Sequence, residues 1–500
     1  MNITAEEQVR RDRLAHLSAQ GTDAYPAGSN RTVMIAKFLT GFDEHLSEQD
    51  EEIIAGRVLA MRNIGALTFF RIVDDSGAMQ AVVRKEDLGD IYETVINSLD
   101  VGDIVEGVGT AYVTKTGEKS VLAHSIRILA KALKPLPEKW NGLQDVEIRY
   151  RQRELDLITN AESRNRLIVR SKLIGALRRF LDEAGFLEVE TPILQSIPGG
   201  ASARPFSTHH NALDADFYLR IAPELYLKRL VVGGMEKIYE IGRCFRNEGI
   251  DYAHNPEFTM LELYQAYAKK EEFITFNESM LREAIRGGLG TTTITIENIV
   301  VDFAQPFARK TFRETILESC GIDIDTLKFA DDVIRATKLA NLVIDFKGCF
   351  SFGDYLDALY KKTGRSAIVA PTWVFDYPAD LKPLARQNPQ DPSKSSCAQL
   401  VMLGAEIVNL YYHELNNPLE QRERFEEQEG LRERGSQEAQ FLDEEFLSAL
   451  EHGMPPTSGV GIGIDRLVAF ITGAPNLKEV IAFPTLKPKV EQGGATDESR

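Results

Sequence analysis

The chain has 500 residues, 43% of them hydrophobic and 27% charged, and a formal net charge of −17. Its length predicts about two to four domains, and its negative charge argues against indiscriminate binding to nucleic acid, although a local basic surface could still contact phosphates. No apolar run approaches the length of a membrane span, and the N-terminus lacks the apolar core of a signal peptide. We therefore expect a cytoplasmic protein that does not enter a membrane.

The first part of the chain predicts a helical segment followed by a small barrel. Residues 1–50 read as polar and helical, without a core of their own. Residues 51–133 contain about five short β-rich runs separated by turn residues, with a helix-compatible stretch between the third and fourth run. This pattern favours a Greek-key barrel of the OB type.

Residues 134–160 read as a linker, because Pro135 and Pro137 cannot continue a helix or a central strand. A strongly basic stretch begins within this linker and continues to Arg179. The excess of basic residues fits either a surface that contacts phosphates or the solvated face of a helix. The sequence leaves both interpretations open.

Residues 161–486 predict a second, larger domain. Leu173, Leu177, Phe180 and Leu181 recur at helical spacing, and strand-like runs then alternate with helices as far as the polar tail at 487–500. Neither common nucleotide loop is present, since the chain has no G-x-x-x-x-G-K-[ST] and no G-x-G-x-x-G that opens a helix. If the protein binds ATP, its binding site must be of a different type from these two loops.

The four cysteines, Cys244, Cys320, Cys349 and Cys397, are far apart in the chain and show no paired spacing. This distribution argues against a zinc site and against a disulfide framework. We expect reduced side chains that contribute to packing.

The stretch "CFRNEGIDYAHNPEFTMLELYQAY", residues 244–267, predicts an antiparallel hairpin. In such a hairpin Arg246 and Phe258 can face one another. An arginine fork suits a phosphate or a carboxylate, and an aromatic ring can stack on adenine. Taken alone, the pattern favours the other interpretation, an ion pair beside a packed phenylalanine.

Two further segments change that balance. "GFLEVETPIL" carries Pro192 near its end, and "GVGIGIDRL" is a glycine-rich strand that leads into a helix at Arg466. In this order, the three segments resemble the signature motifs of class II aminoacyl-tRNA synthetases. An N-terminal OB domain narrows the resemblance to the subclass for aspartate, asparagine or lysine.

Longer stretches, among them "PGGASARPF", "APELYLKRLVVGG", "HELNNP" and "EHGMPPTSGVGIGIDR", resemble class II lysyl-tRNA synthetases of the class IIb subgroup, from about residue 53 to residue 485. The resemblance implies a multidomain α+β protein, with an OB-fold barrel and a catalytic domain whose antiparallel sheet is flanked by helices. It also implies ATP-dependent activation of L-lysine and its transfer to tRNA(Lys), with Mg²⁺ as cofactor. A homodimer formed through the first motif, around Pro192, is expected as well.

The resemblance assigns roles to individual residues. A catalytic role is assigned to Arg246 and Arg466. ATP binding is assigned to Arg246, Glu248, His254, Phe258 and Arg466. Lysine binding is assigned to Gly200, Glu224, Arg246, Glu262, Tyr264, Asn409, Tyr411 and Glu414. Anticodon binding is assigned to Phe69, Gln80 and Glu118, and metal binding to Glu406 and Gln399.

Part of this assignment also follows from the residues themselves. A lysine substrate carries an extra ammonium group, whose burial requires acidic partners. Glu224 and Glu262 occur in apolar segments that we interpret as strands, where an acid is unusual unless it is paired, and Tyr264 shares a strand face with Glu262. The alternative is that each acid pairs with a neighbouring core arginine.

Phe69 and Phe70 are adjacent in a predicted barrel strand, where neighbouring side chains point to opposite faces. One of the two should therefore belong to the barrel core. The other would be free to stack on an unpaired base, as OB faces do.

Two features depart from the family pattern. Cys397, Ala398 and Gln399 stand where family members carry Arg-Phe-Glu, and glutamine offers a metal only a neutral carbonyl oxygen. Asn409 and Glu414 are five residues apart instead of four, which would turn Glu414 out of the pocket and His413 into it unless a β-bulge absorbs the extra residue. We predict a bulge near Tyr412 or His413.

These departures keep a second function open, that of a catalytically weakened relative that binds tRNA as a regulatory or scaffold protein. A third possibility keeps the chemistry but transfers lysine to a protein, and the OB domain argues against it.

Overall fold

The computed structural model describes residues 3–137, 143, 145–296 and 298–488. The chain divides into two compact units, Met1–Leu143 and Gln144–Arg500. The predicted class, a multidomain α+β protein, is confirmed. No helix in this described part of the chain is both long and apolar enough to cross a membrane.

The first unit is built around a closed five-stranded barrel with the strand order β1-β2-β3-β5-β4, which confirms the predicted OB fold. Its strands are β1 (Glu52–Ile64), β2 (Leu67–Val73), β3 (Ala78–Arg84), β4 (Ile104–Val113) and β5 (Lys119–Ala130). Its helices are α1 (Ala5–Ala19), α2 (Ile35–Thr40), α3 (Phe42–Glu48), α4 (Lys85–Leu88) and α5 (Asp90–Ile96).

The N-terminal helices pack against the barrel. Leu17, Ile35, Phe38 and Phe42 are fully buried and join the same apolar cluster as Phe70 of β2. Because α2 and α3 are each two turns or less, this shared core, rather than helix propensity, holds them in place.

The second unit contains an eight-stranded, mainly antiparallel sheet with the order β14-β15-β18-β19-β20-β11-β10-β6. The strands of this unit are β6 (Leu187–Glu188), β7 (Leu194–Gln195), β8 (Phe206–His210), β9 (Ala215–Leu219), β10 (Lys237–Phe245), β11 (Glu257–Ala266), β12 (Thr293–Ile296), β13 (Ile299–Asp302), β14 (Ala308–Thr311), β15 (Thr372–Phe375), β16 (Gln387–Asn388), β17 (Asp391–Ser395), β18 (Cys397–Met402), β19 (Ala405–Tyr411) and β20 (Thr457–Gly463).

Helices surround this sheet, as the resemblance implies. They are α6 (Val146–Arg151), α7 (Arg153–Thr159), α8 (Ala161–Glu183), α9 (Glu224–Val232), α10 (Lys270–Leu289), α11 (Phe312–Cys320), α12 (Ala330–Leu339), α13 (Phe352–Lys362), α14 (Pro418–Glu433), α15 (Glu444–Glu451) and α16 (Ile464–Ile471). Short 3₁₀ helices cover Ile324–Thr326, Arg365–Ala367, Ala379–Leu381 and Leu477–Val480.

The core of the second unit lies between the sheet and the helix pair α8 and α10. Leu173, Leu177 and Leu181 repeat at helical spacing on α8 and are fully buried. They belong to the same cluster as Leu261 and Leu263, which alternate along β11. The helical period of 3.6 residues places the three leucines on one face of α8, and the strand period of 2 places the other two on one face of β11. These two faces meet in a common core.

Three arginines of the basic stretch form ion pairs within the protein, so they belong neither to a phosphate-binding surface nor to a solvated helix face. Arg149 and Arg166 each lie 2.9 Å from the Glu479 carboxylate, and the fully buried Arg153 lies 2.6 Å from Asp156. Because removing one member of a buried ion network leaves an uncompensated charge, these arginines are structural. The helices α6 and α7, which carry two of them, fall within the range predicted as a linker.

All four cysteines are free, as predicted, and Cys244 and Cys397 are buried. Burial raises the pKa of the Cys244 thiol to about 12, which keeps it protonated and unreactive. Of the predicted polar tail at 487–500, the residues beyond 488 lie outside the described ranges.

Candidate active site

The second unit contains a cavity of about 390 Å³. It brings together all the residues predicted to bind ATP, lysine or metal. They are Gly200, Glu224, Arg246, Glu248, His254, Phe258, Glu262, Tyr264, Gln399, Glu406, Asn409, Tyr411, Glu414 and Arg466. The residues predicted to read the anticodon belong to the other unit.

The predicted hairpin forms one side of the cavity. Strands β10 and β11 pair antiparallel, with Cys244 opposite Phe258, and Arg246 follows directly after β10. The Arg246 guanidinium carbon lies 5.0 Å above the centre of the Phe258 ring, so the predicted pair does meet. Its buried Nε has no hydrogen-bond partner among the described residues, which leaves the guanidinium available to an anionic ligand.

The hairpin loop carries Glu248 and His254 to the mouth of the cavity. His254 Nδ1 lies 3.0 Å from the Asp251 carboxylate, and the Ala253 amide donates to the same carboxylate at 2.7 Å. Slight burial acts to raise the pKa of Asp251, but these hydrogen bonds together hold it below its usual value. The His254 ring is therefore oriented by a carboxylate that stays charged at neutral pH.

Arg466 lies in the first turn of helix α16, which begins directly after the glycine-rich strand β20. Its guanidinium donates to the Glu406 main-chain oxygen at 3.1 Å. The neighbouring Asp465 accepts a hydrogen bond from the Thr259 amide at 2.6 Å and pairs with Arg170 of α8. These contacts fix the start of α16 against β11, next to Phe258.

Glu224 does not lie on a strand, so that interpretation of its segment is wrong. It is the first residue of helix α9, after Pro223. The apolar residues of "APELYLKRL" fit a helical period as well as an alternating one, and an acid is favourable in the first turn because of the helix dipole.

Glu262 and Tyr264 share one face of β11, as predicted from their spacing, and both are buried. The Tyr264 hydroxyl donates to a Glu262 carboxylate oxygen at 3.2 Å, so the partner of this acid is a tyrosine rather than a core arginine. Burial raises the pKa of Glu262 well above its usual value, and the charge of Glu224 acts in the same direction. The same two causes raise the pKa of Tyr264.

Lys228 joins two of the acids. Its ammonium lies 2.7 Å from a Glu224 oxygen, one helical turn away, and 2.7 Å from a Glu414 oxygen. All three side chains are buried. Glu224 therefore does have a basic partner, which is a lysine and not an arginine.

The extra residue before Glu414 is absorbed by a bulge, as the sequence predicts. The Ser396 carbonyl accepts hydrogen bonds from both the Tyr412 and His413 amides, at 3.1 and 3.4 Å, so two residues stand opposite one. The Glu414 amide then donates to the Thr457 carbonyl at 2.9 Å. Glu414 consequently lines the cavity and is only 2% exposed.

Two glycines shape the part of the cavity beside Glu224 and Glu414. Gly200 has φ +86°, and a Cβ there would lie 2.9 Å from the Cβ of Glu224. A Cβ on Gly459 would lie 2.5 Å from Tyr264 Cε1 and closer still to a Glu414 oxygen. Both positions therefore require glycine.

The candidate metal ligands, Gln399 and Glu406, lie on neighbouring strands and both line the cavity. Gln399 of β18 pairs with Asn409 of β19, and its side-chain amide donates to the Asn409 side chain at 3.5 Å. Glu406 lies on the same strand as Asn409 and is half-buried. One carboxylate and one amide oxygen fit Mg²⁺ when substrate phosphates and water supply the remaining ligands.

The three anticodon candidates lie on or beside neighbouring strands of the barrel. Phe70 is 1% exposed whereas Phe69 is half-buried, which confirms that one of the pair belongs to the core. Gln80 donates to the Ser120 hydroxyl at 3.1 Å, and Ser120 donates to the Glu118 carbonyl at 3.2 Å. Because Gln80 pairs with Arg71, two residues beyond Phe69, the ring and the amide lie diagonally across β2 and β3.

Comparison with known proteins agrees with this geometry. The family model for tRNA synthetases class II (D, K and N) matches residues 145–487, which is more than half of the chain. The chain belongs to this family. A model for an OB-fold nucleic acid binding domain matches residues 53–129 of the same synthetase.

Similar curated proteins span nearly the whole synthetase. A lysine–tRNA ligase of Pelotomaculum thermopropionicum is 46% identical over 482 residues, which cover 96% of this chain and 95% of that protein. Lysine–tRNA ligases of Moorella thermoacetica and Bacillus subtilis are 45% and 43% identical over 495 and 490 residues. The first alignment covers 98% of this chain and 100% of its relative, and the second covers 96% and 97%.

Lys228, Asp465 and Gln440 are residues in or behind the lining of the synthetase cavity that the sequence does not predict. Lys228 could have been suspected from its spacing of four residues from Glu224 on a helix. Asp465 is adjacent to Arg466, but its contacts with Arg170 and Thr259 have no local signal. Gln440, which accepts a hydrogen bond from the Gly200 amide at 3.2 Å, lies in an irregular segment without any recognisable pattern.

Proposed function

We propose that the chain acts as a lysine–tRNA ligase, which converts L-lysine and ATP to lysyl-adenylate and transfers the lysyl group to the 3′ end of tRNA(Lys). The charge balance of the cavity carries this proposal. Three buried acids, Glu224, Glu262 and Glu414, have one buried ammonium beside them in the described part of the chain, that of Lys228, which pairs with Glu224 and Glu414. A ligand with two ammonium groups completes the balance, and lysine has two.

In this proposal Glu224 binds the α-amino group of lysine, and Arg246 binds its carboxylate. Glu262, Tyr264 and Glu414 surround the side-chain ammonium. The main chain at Gly200, together with Asn409 and Tyr411, completes the lysine site. An aspartate substrate would instead place a carboxylate among three buried acids, which is strongly unfavourable.

ATP occupies the other side of the cavity. Phe258 and Arg466 hold the adenine ring between them, Glu248 accepts a hydrogen bond from its amino group, and His254 contacts the terminal phosphates. A lysine carboxylate oxygen attacks the α-phosphorus and pyrophosphate leaves, while Arg246 stabilises the charge that develops on the α-phosphate. No protein nucleophile is needed, because positioning and charge stabilisation account for the reaction.

Glu406 and Gln399 would hold Mg²⁺ next to the phosphates. When bound, this ion neutralises charge on the phosphate oxygens. Because only one of these two ligands is a carboxylate, we expect Mg²⁺ to bind mainly as its complex with ATP.

We further propose that residues 51–133 read the anticodon and that residues 161–486 carry out the chemistry. Leu187, Ile193 and Leu194, which flank Pro192, are each about half exposed and provide an apolar surface for a homodimer. We place the enzyme in the cytoplasm, where tRNA is charged.

Charging of total tRNA tests this function. The purified chain should attach lysine to tRNA in an ATP-dependent reaction. A protein that binds tRNA without charging it would instead be the regulatory or scaffold relative, and our proposal would be wrong. Two departures from the family pattern, Gln399 and the extra residue before Glu414, favoured that alternative. The second no longer supports it, because Glu414 lines the cavity despite the extra residue.

The Glu414→Gln variant should raise the KM for lysine at least about tenfold, or about 1.4 kcal/mol, with little change in the KM for ATP. The amide keeps the shape of the side chain but removes the charge that pairs with the ammonium. Pyrophosphate exchange at varied lysine concentration measures the effect. Glu445→Gln, at an exposed position on α15, serves as the control, and an unchanged KM for lysine in Glu414→Gln would exclude Glu414 from the site.

Phe69→Ala should weaken tRNA charging without changing pyrophosphate exchange, because stacking of one base contributes about 1–3 kcal/mol and adenylate formation does not involve the tRNA. The two assays are compared on the same enzyme preparation. Phe329→Ala, which removes an exposed ring from the other unit, is the matched control. Equal losses in both assays would contradict a separate anticodon-reading role for Phe69.

A further inference from the structure

Lys228 lies behind the acids that line the cavity. It projects from helix α9, is fully buried, and is not itself part of the cavity wall, whereas its partners Glu224 and Glu414 are. Besides the two carboxylates, its ammonium donates a long hydrogen bond of 3.4 Å to the Leu384 carbonyl. A ligand ammonium therefore approaches Glu414 from the cavity while Lys228 holds it from the opposite side.

Lys228 is charged in this position. Burial acts to lower the pKa of its ammonium, but the charges of Glu224 and Glu414 outweigh that effect and raise it above the usual value. Its charge is therefore a fixed feature of the site at neutral pH.

Glu414 retains hydrogen-bonding capacity toward the cavity. One of its oxygens lies 2.7 Å from the Lys228 ammonium, and the other, Oε1, has no hydrogen-bond partner in the described ranges. A buried carboxylate with free acceptor sites is unfavourable unless something fills them. The N–H groups of a substrate ammonium can do so.

The ionisable groups that face Glu414 come from three elements. Helix α9 contributes Lys228 and Glu224, strand β11 contributes Tyr264 beside Glu262, and β19 contributes Tyr411. Lys228 is the cation among them. Burial raises the pKa of Glu414 to about 8, and the charge of Lys228 acts against that increase. Without Lys228, three acids would share a buried site, and the pKa of Glu414 would rise further.

We propose that Lys228 is a positioning residue for substrate recognition, which pairs with Glu414 and directs it into the cavity so that the substrate ammonium meets a carboxylate. This inference rests on the proposed lysine–tRNA ligase function. Lys228 acts through Glu414 and does not itself touch the substrate. A protonated Glu414 would offer the ammonium only a neutral carbonyl oxygen.

The Lys228→Met variant tests the proposal in pyrophosphate exchange. We expect the KM for lysine to rise about tenfold at neutral pH, while the KM for ATP stays near the wild-type value. Loss of the nearby positive charge raises the pKa of Glu414 further, so the fall in the KM for lysine with rising pH should occur at a higher pH in the variant than in the wild type.

Two matched variants accompany it. Arg229→Met removes the next positive charge on α9, which pairs with Glu445 at the surface, and should leave both KM values unchanged. Lys228→Arg keeps the charge and should recover most of the lysine affinity that Lys228→Met loses. A purely structural role would not give this separation between the two substrates.

Several results would overturn the proposal. An unchanged or lower KM for lysine in Lys228→Met would mean that Lys228 is dispensable or competes with the substrate, and equal increases in both KM values would indicate a structural role. If Lys228→Met does not fold, the double variant Lys228→Met/Glu414→Gln removes both members of the pair. Its KM for lysine should match that of Glu414→Gln, and a further tenfold increase would contradict an action through Glu414. Failure of the wild type to activate lysine would instead refute the proposed function.

Discussion

Replacing Arg246 with alanine should lower the rate of adenylate formation by about 10²–10³-fold, equivalent to roughly 3 kcal/mol, and leave the fold intact. The guanidinium lies over the Phe258 ring, and its buried Nε has no partner among the described residues, so little of the protein depends on it. Its expected partners are the α-phosphate and the substrate carboxylate. Pyrophosphate exchange measures the loss, and a melting curve checks the fold.

Arg243→Ala is the matched control for this experiment. Arg243 lies on the same hairpin, is largely exposed, and pairs with Glu257 at 3.5 Å, away from the cavity lining. It should retain wild-type exchange. Exchange by Arg246→Ala within a few-fold of the wild type would show that Arg246 does not bind the phosphate.

Replacing Gly459 with alanine should reduce kcat/KM for lysine by about a hundredfold, because overpacking a filled site costs up to about 3 kcal/mol. The added Cβ would lie 2.5 Å from Tyr264 Cε1 and closer still to Glu414. Both side chains are buried, so neither can move aside without leaving its position in the lysine site. Steady-state exchange kinetics with lysine as the varied substrate give the value.

Gly107→Ala tests whether any glycine in a strand would behave in the same way. Gly107 lies on β4 of the barrel, where an added Cβ meets nothing closer than 3.5 Å. Lysine kinetics should not change in this variant. A Gly459→Ala enzyme with wild-type kcat/KM for lysine would contradict the close contact on which the cavity depends.

The parts of the site that the sequence predicts correctly depend on local geometry. Arg246 and Phe258 meet because a hairpin pairs residues that are close in the chain, and Glu262 and Tyr264 share a face because strands have a period of two. The bulge before Glu414 could be anticipated for the same reason, since one extra residue must be absorbed if the acid is to face inward.

The parts that the sequence does not predict depend on contacts between distant segments. The short apolar run around Glu224 fits both the strand and the helix period, and the packing of α9 decides between them. The pair formed by Lys228 and Glu414, like that formed by Arg149 and Glu479, joins residues far apart in the chain. No local pattern marks either pair, so only the tertiary structure reveals them.

Exchange of pyrophosphate into ATP with a panel of amino acids tests the central claim most directly, because it asks whether the cavity needs a ligand with two ammonium groups. Lysine should support exchange at least about 10³-fold better than norleucine, which has the same chain length but no side-chain ammonium. Aspartate should support none. Absence of lysine-dependent exchange, or comparable exchange with norleucine, would contradict the claim that the three buried carboxylates and Lys228 form a lysine site.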